Sequence, residues 1–171
     1  MTVLETERLT LRHYRPEDAA GMFAIFSDPE TMAYYPGPFS FRQTEEWIGR
    51  NIGRYAADGF GLWAVCLKES GQLIGDCGLI RQMVEGDSEV EVGYHIARSC
   101  WNRGYATEAA AACAEYGFRK LGLSRLCSII APGNTASIRV AEKIGFVSER
   151  EVRIFGRDHV LYAGSGDKEG K

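Results

Sequence analysis

The sequence predicts a mixed α/β domain with one central sheet of about seven strands, mostly antiparallel, flanked by about four to five helices. Three observations carry this. Phe60 to Ile96 holds three runs rich in apolar residues, separated only by the turns Lys68-Glu69-Ser70-Gly71 and Glu85-Gly86-Asp87-Ser88. Strands joined so closely must be antiparallel neighbours. The third run passes into an alanine-rich helix and then into a buried-type strand, Leu126 to Ala131, and strand–helix–strand implies a right-handed parallel crossover. Finally, several stretches carry helix punctuation at one end and helical apolar spacing behind it.

Thr6 to Tyr14 reads as the first strand, with Leu9 and Leu11 on one face. Arg15-Pro16-Glu17-Asp18 opens a helix, since proline suits the first turn and acids its positive end. Ser27-Asp28-Pro29-Glu30 reads as a second helix start, ended by Tyr35-Pro36-Gly37-Pro38. Ser40 to Glu45 opens a third helix through Tyr55, with Trp47, Ile48, Ile52 and Tyr55 at helical spacing. The meander follows, with strands at Phe60–Leu67, Gln72–Arg81 and from Glu89 onward. The helix from about Gly104 to Leu121 carries the small stripe Ala106, Ala109, Ala110, Cys113 and Gly117, which allows close packing on a sheet. After Leu126 to Ala131, Pro132-Gly133-Asn134 turns into a helix over Thr135–Ile144, with Asn134 at a capping position. Arg150–Phe155 and Asp158–Tyr162 read as a closing hairpin around Gly156. One domain over residues 1–163 is expected, with 164–171 a disordered, polar, glycine-rich tail.

The 171 residues carry a net charge of −3, which argues against non-specific nucleic-acid binding. No apolar run reaches the ~18 residues of a membrane span, and the N-terminus lacks a secretory signal. Cys66, Cys77, Cys100, Cys113 and Cys127 form no C-x-x-C pair, so they read as buried thiols of a cytoplasmic protein. His13, His95 and His159 are too dispersed for a metal cluster, and no metal is expected.

The stretch from Glu89 to Ala110 organises the chain. Val90, Val92, Tyr94 and Ile96 alternate with Glu89, Glu91, Gly93 and His95, as a pleated strand requires. Between this strand and the alanine-rich helix lies Arg103-Gly104-Tyr105-Ala106-Thr107. The first amides of a helix are unpaired and carry partial positive charge, so a strand entering a helix through such a turn is a phosphate cradle.

The order of elements and five motifs resemble the GNAT acetyltransferase superfamily, and within it the RimJ/RimL-like (ribosomal-protein-alanine N-acetyltransferase) type. The motifs are Glu5 to Arg12, Ser27 to Met32, Glu91-Val92-Gly93-Tyr94, Trp101 to Ala109, and Asn134 to Phe146. The resemblance implies the GNAT fold, acetyl-CoA as donor, and a primary amine as acceptor, either a protein N-terminus or a small molecule. It places Ile96 and Ala97 backbone against the pantetheine arm, Arg103 to Thr107 around the diphosphate, and Asn134 on the pantetheine. The tyrosine that many superfamily members carry in the last helix is replaced here by Ala141. Trp101 stands where glutamine or arginine is common, as in the RimJ/RimL-like type.

Acetyl transfer requires deprotonation of an ammonium, polarisation of the thioester carbonyl and stabilisation of the departing thiolate. Glu91 is the candidate base, directly or through water; a solvated strand glutamate is the competing reading. His95 is an alternative base, or contributes only its backbone N–H. Ser137 is the candidate donor to the sulfur, or merely a residue of the helix start. The alternative to an enzyme is a GNAT-fold module that binds acyl-CoA without turnover. The acceptor loop is expected between Met32 and Phe41, and a homodimer is left open.

Overall fold

Strand β5 (Asp87–Ile96) is paired very differently on its two edges. Toward β4 (Leu73–Val84) it is antiparallel along its whole length, from Gly75↔Ile96 to Val84↔Asp87. Toward β6 (Arg125–Ile130) it is parallel and shares a single register pair, Glu91↔Cys127. The computed structural model describes residues 1–166. The remaining strands are β1 (Thr2–Glu5), β2 (Leu9–Arg12), β3 (Leu62–Leu67), β7 (Val147–Ile154) and β8 (Arg157–Ser165). Together they form one eight-stranded sheet in the order β1-β2-β3-β4-β5-β6-β8-β7.

The helices are α1 (Ala19–Phe26), α2 (Phe41–Asp58), α3 (Tyr105–Arg119) and α4 (Thr135–Lys143). Ser40 caps α2, its hydroxyl accepting from the Gln43 N–H while Gln43 returns to the Ser40 N–H; this reciprocal pairing satisfies two orphan donors. Helices α3 and α4 cover one sheet face, burying Ala109, Ala110, Cys113 and Ala141 against Leu79, Val90, Val92 and Ile96. Gly117 lets α3 approach closely, because a Cβ there would lie 3.1 Å from Leu79 and Leu126 side chains. On the other face, α1 and α2 bury Met22, Ile25, Phe26 and Ile48 against Tyr14 and Ala64. Among the described residues no helix is long and apolar enough to cross a membrane.

The fold class, the antiparallel meander and the parallel crossover are as expected, with three corrections. The first strand is a hairpin, β1 and β2, broken at Thr6–Arg8, which supplies the eighth strand. The expected helix at Ser27–Glu30 is a run of turns. Asp28 accepts from the Glu30 N–H, the Thr31 hydroxyl and the Arg98 guanidinium, and such local side-chain bonds compete with a helix. The domain also extends past residue 163. Gly164 pairs with Leu126 and Ser165 with Arg125 in β8, while the rest of the expected tail, 167–171, lies outside the described residues.

Two glycines allow close backbone crossing in β4. A Cβ on Gly75 would sit 1.9 Å from the His95 carbonyl oxygen, and one on Gly78 would sit 2.1 Å from that of Gly61. Gly78→Ala is therefore expected to destabilise the fold by about 3 kcal/mol in urea unfolding, since backbone cannot move aside as a flexible side chain can.

Candidate active site

The C-terminal end of β5 is closed off from within. The Ala97 N–H donates to Ile74 O at 2.7 Å, and Ala97 O accepts from the Cys100 N–H at 2.8 Å. The Trp101 indole N–H donates to Ile96 O at 2.7 Å. Backbone alternation then turns the Ile96 N–H toward β6, away from β4. Of the two residues expected to pair with pantetheine, Ile96 offers this N–H, whereas the Ala97 N–H is already engaged. Trp101 ends the strand by capping its last carbonyl.

The chain next turns through Asn102 and Gly104, both left-handed at φ 61° and 81°. Arg103 between them is exposed. The first bond of α3 runs from the Glu108 N–H to Gly104 O, leaving the Tyr105, Ala106 and Thr107 amides at the helix start. This end is braced by the β1–β2 turn. Glu108 accepts from the Thr6 hydroxyl at 2.5 Å, the Arg8 N–H at 3.0 Å and the Arg8 Nε at 2.7 Å. Burial alone would raise the Glu108 carboxyl, but the Thr6 and Arg8 hydrogen bonds outweigh it and hold it low. The Arg8 guanidinium also stacks over the Tyr105 ring at 4.3 Å. An exposed arginine, a left-handed glycine and free helix-start amides are a donor set that fits a diphosphate.

Helix α4 follows β6 through the Pro132-Gly133 turn. Asn134 Oδ1 caps it by accepting the Ser137 N–H at 3.3 Å, so the capping function is realised and its Nδ2 is left to donate elsewhere. Ser137 lies next to the Tyr94 hydroxyl, which is buried with no hydrogen-bond partner. Burial pushes the Tyr94 phenol up to about 12, opposed by Ser137.

On the opposite face, Glu91, Gly93 and His95 share one side of β5. The Glu91 Oε2 is buried with no partner. Burial pushes its carboxyl up to about 7, against the opposing pull of the Gln82 side chain and the Arg54 charge. Glu89, two residues earlier, is different: it is locked to Arg125, which also grips Glu149 at 2.6 Å. Glu89 is therefore part of a structural ion pair, whereas the Glu91 Oε2 has no partner. His95, about 13 Å further along the strand, is held at both ring nitrogens. Its Nδ1 lies 2.8 Å from Asp76 Oδ1 and its Nε2 lies 2.6 Å from the Tyr35 hydroxyl. Asp76 is fully buried, and its Oδ2 accepts from the Tyr14 hydroxyl at 2.7 Å and the Trp47 indole at 3.0 Å. The 31–40 loop that carries Tyr35 is tied across to the α4 turn, where the Tyr34 hydroxyl donates to Gly133 O at 3.0 Å.

The structure thus gathers Arg103 to Thr107, Asn134 and Ser137 on the α3/α4 side of the β5–β6 divergence, with Glu91 and His95 on the α1/α2 side. Sequence reasoning missed Asp76, Tyr35 and Tyr94. For Asp76 a signal existed: an acid inside the strand Ile74-Gly75-Asp76-Cys77-Gly78-Leu79 is buried on pattern alone.

Residues 8–147 match the family described as "Acetyltransferase (GNAT) domain". The Bacillus subtilis protein YkkB is 40% identical over 94% of this chain and 94% of its own. The uncharacterized N-acetyltransferase p20 of Bacillus licheniformis is 32% identical over 90% of this chain and 86% of its own. Among solved structures, the GNAT-family acetyltransferase from Bacillus anthracis superposes with a TM-score of 0.80 at 29% identity, covering 96% of this chain and 98% of that one.

Glu91 also makes stability depend on pH. A folded-state value near 7, above the ordinary carboxyl value, means that the folded chain holds a proton the unfolded chain releases. Stability then falls as pH rises from about 4.5 through 7. Glu91→Gln removes this loss, so thermal unfolding should show the variant gaining on wild type by up to about 3 kcal/mol across that window. Parallel profiles would contradict the desolvated carboxyl.

Proposed function

The chain belongs to the GNAT acetyltransferase family and is an N-acetyltransferase; from that premise we propose that it moves an acetyl group from acetyl-CoA to a primary amine by direct transfer in a ternary complex. The acceptor class is a protein N-terminus or a small-molecule amine, as in the RimJ/RimL-like type. Trp101 at the turn and the buried Ala141, where a tyrosine acid would stand, support that subgroup. Five free, buried cysteines suit a reducing cytosol.

One observation carries the reading. A desolvated carboxyl with a value near 7, its Oε2 without a partner, sits at the β5–β6 register pair, upstream of a diphosphate-type turn on the same chain segment. A base poised near neutral pH can hold a proton and release it within one turnover.

Acetyl-CoA would supply an acetyl group already activated as a thioester. Arg103 and the Tyr105, Ala106 and Thr107 amides would hold its diphosphate. Asn134 Nδ2 and the Ile96 N–H would align the pantetheine. Glu91 takes the proton that the acceptor ammonium must lose. Ser137 and Tyr94 present hydroxyls on the other side of β5, suited to donate toward sulfur as negative charge develops. Burial pushes the Cys66, Cys77 and Cys127 thiols up, so they stay protonated and are poor nucleophiles. This favours direct transfer over an acetyl-cysteine route.

The test is thiol release from acetyl-CoA across a panel of small amines and N-terminal peptides. Release with an intersecting initial-velocity pattern is expected. Tight CoA binding with no thiol released on any acceptor would instead leave a non-catalytic acyl-CoA-binding module. In a parallel titration, Arg103→Glu should raise the CoA dissociation constant by about tenfold or more, since it removes a charge-assisted bond and adds repulsion. An unchanged constant would refute the diphosphate assignment.

A further inference from the structure

The Asp76–His95–Tyr35 chain has no place in the chemistry described so far, and its hydrogens can be assigned. The Trp47 indole N–H can only donate, so Asp76 Oδ2 is an acceptor. Asp76 Oδ2 also takes the Tyr14 hydroxyl, and its Oδ1 faces His95 Nδ1. In the His95 tautomer that directs Nδ1–H to Asp76, Nε2 is an acceptor. Tyr35 must then donate to Nε2. With its only hydrogen directed inward, the phenolic oxygen of Tyr35 can offer lone pairs alone to anything that approaches it. The chain behind it, a carboxylate, an imidazole and a phenol in series, polarises that oxygen further toward negative charge.

We propose that the Tyr35 oxygen, fixed as a pure acceptor by His95 and Asp76, seats the ammonium group of the acceptor amine. The proposal rests on the N-acetyltransferase reading and adds the residue that recognises the amine. Two further observations support it. Glu91 lies on the same face of β5 as His95, the hydrogen-bond partner of Tyr35. Glu91 also has a buried carboxyl oxygen without a partner, as expected where a polar group of the substrate belongs. Tyr35 and Glu91 are both acceptors there, and a primary ammonium brings three donors. The rings of Phe26, Tyr35 and Trp47 pack around His95 at centroid distances of 5.0, 5.1 and 5.6 Å, and Tyr35 itself remains 37% exposed at the surface. The site thus selects an unsubstituted, positively charged amine on an apolar or aromatic carrier and disfavours an uncharged hydroxyl isostere. His95 and Asp76 act as positioning residues for this contact.

The test uses equilibrium binding of benzylammonium and of its neutral isostere benzyl alcohol to the CoA-loaded protein, by calorimetry. The wild type should prefer the cation by about tenfold or more, and Tyr35→Phe should reduce that preference to about threefold or less. In steady-state kinetics the same variant should raise the amine KM by about tenfold while the acetyl-CoA KM stays within about twofold. His95→Gln should weaken the cation preference in the same direction, because it leaves the Tyr35 hydrogen free to turn outward. An unaltered CoA affinity shows that each variant is folded. Absence of a cation preference in the wild type, or its retention in Tyr35→Phe, overturns the seat. Failure of every amine to release thiol refutes the enzymatic reading separately, and the binding measurement still decides the seat.

Discussion

The parallel pairing of β5 with β6 rests on one register pair, Glu91↔Cys127, and the proposed site is built around it. The other edge of β5 is paired with β4 along its full length, so the strand is held rigidly while its β6-facing edge diverges. The Trp101 indole ends the ladder by taking the Ile96 carbonyl. The two faces of the sheet beside β5 are chemically opposite. The α3/α4 side is rich in donors: the helix-start amides, Arg103, Asn134 and Ser137. The α1/α2 side is rich in acceptors: Glu91 and the Tyr35 oxygen. A donor-rich side suits an anionic diphosphate and a departing thiolate; an acceptor-rich side suits an incoming cation.

Two carboxyl side chains, Asp76 buried and Glu108 half-buried, hold these sides in place. Glu108 binds the β1–β2 turn to the start of α3 and so fixes the diphosphate turn from behind. Asp76 gathers Tyr14, Trp47 and His95 from three separate elements. Fully satisfied networks of this kind rigidify a core, and removal of one member leaves several buried donors unpaired. Neither carboxylate is placed to react. Each is engaged by its partners, in contrast to Glu91, whose Oε2 has none.

Much of this was legible in the sequence, because the determining signals are local. Alternation in β5, the Ser40 cap of α2, the small stripe of α3 and the Asn134 cap of α4 all lie within a few residues of what they determine. The misreadings arose where long-range bonds decided the outcome. Ser27-Asp28-Pro29-Glu30 has the composition of a helix start, but Arg98 and Thr31 bind Asp28 into turns. Thr6 and Arg8 look like strand residues, yet Glu108, a hundred residues away, folds them into a turn. The same limit applies to the site. Glu91 and His95 were visible on one strand face, but the sequence spacing of Tyr35 and Asp76 from His95 conceals that the three side chains meet.

In the proposed mechanism Glu91, desolvated beside the β5–β6 register pair, removes the proton from the acceptor ammonium. The pH dependence of kcat for wild type and Glu91→Gln, with saturating acetyl-CoA and a reactive amine, tests it most directly. The wild type should show an acid limb with a midpoint near 7, and the variant should lose that limb together with about a hundredfold in kcat. A variant that keeps the wild-type rate and the same acid limb would contradict the claim.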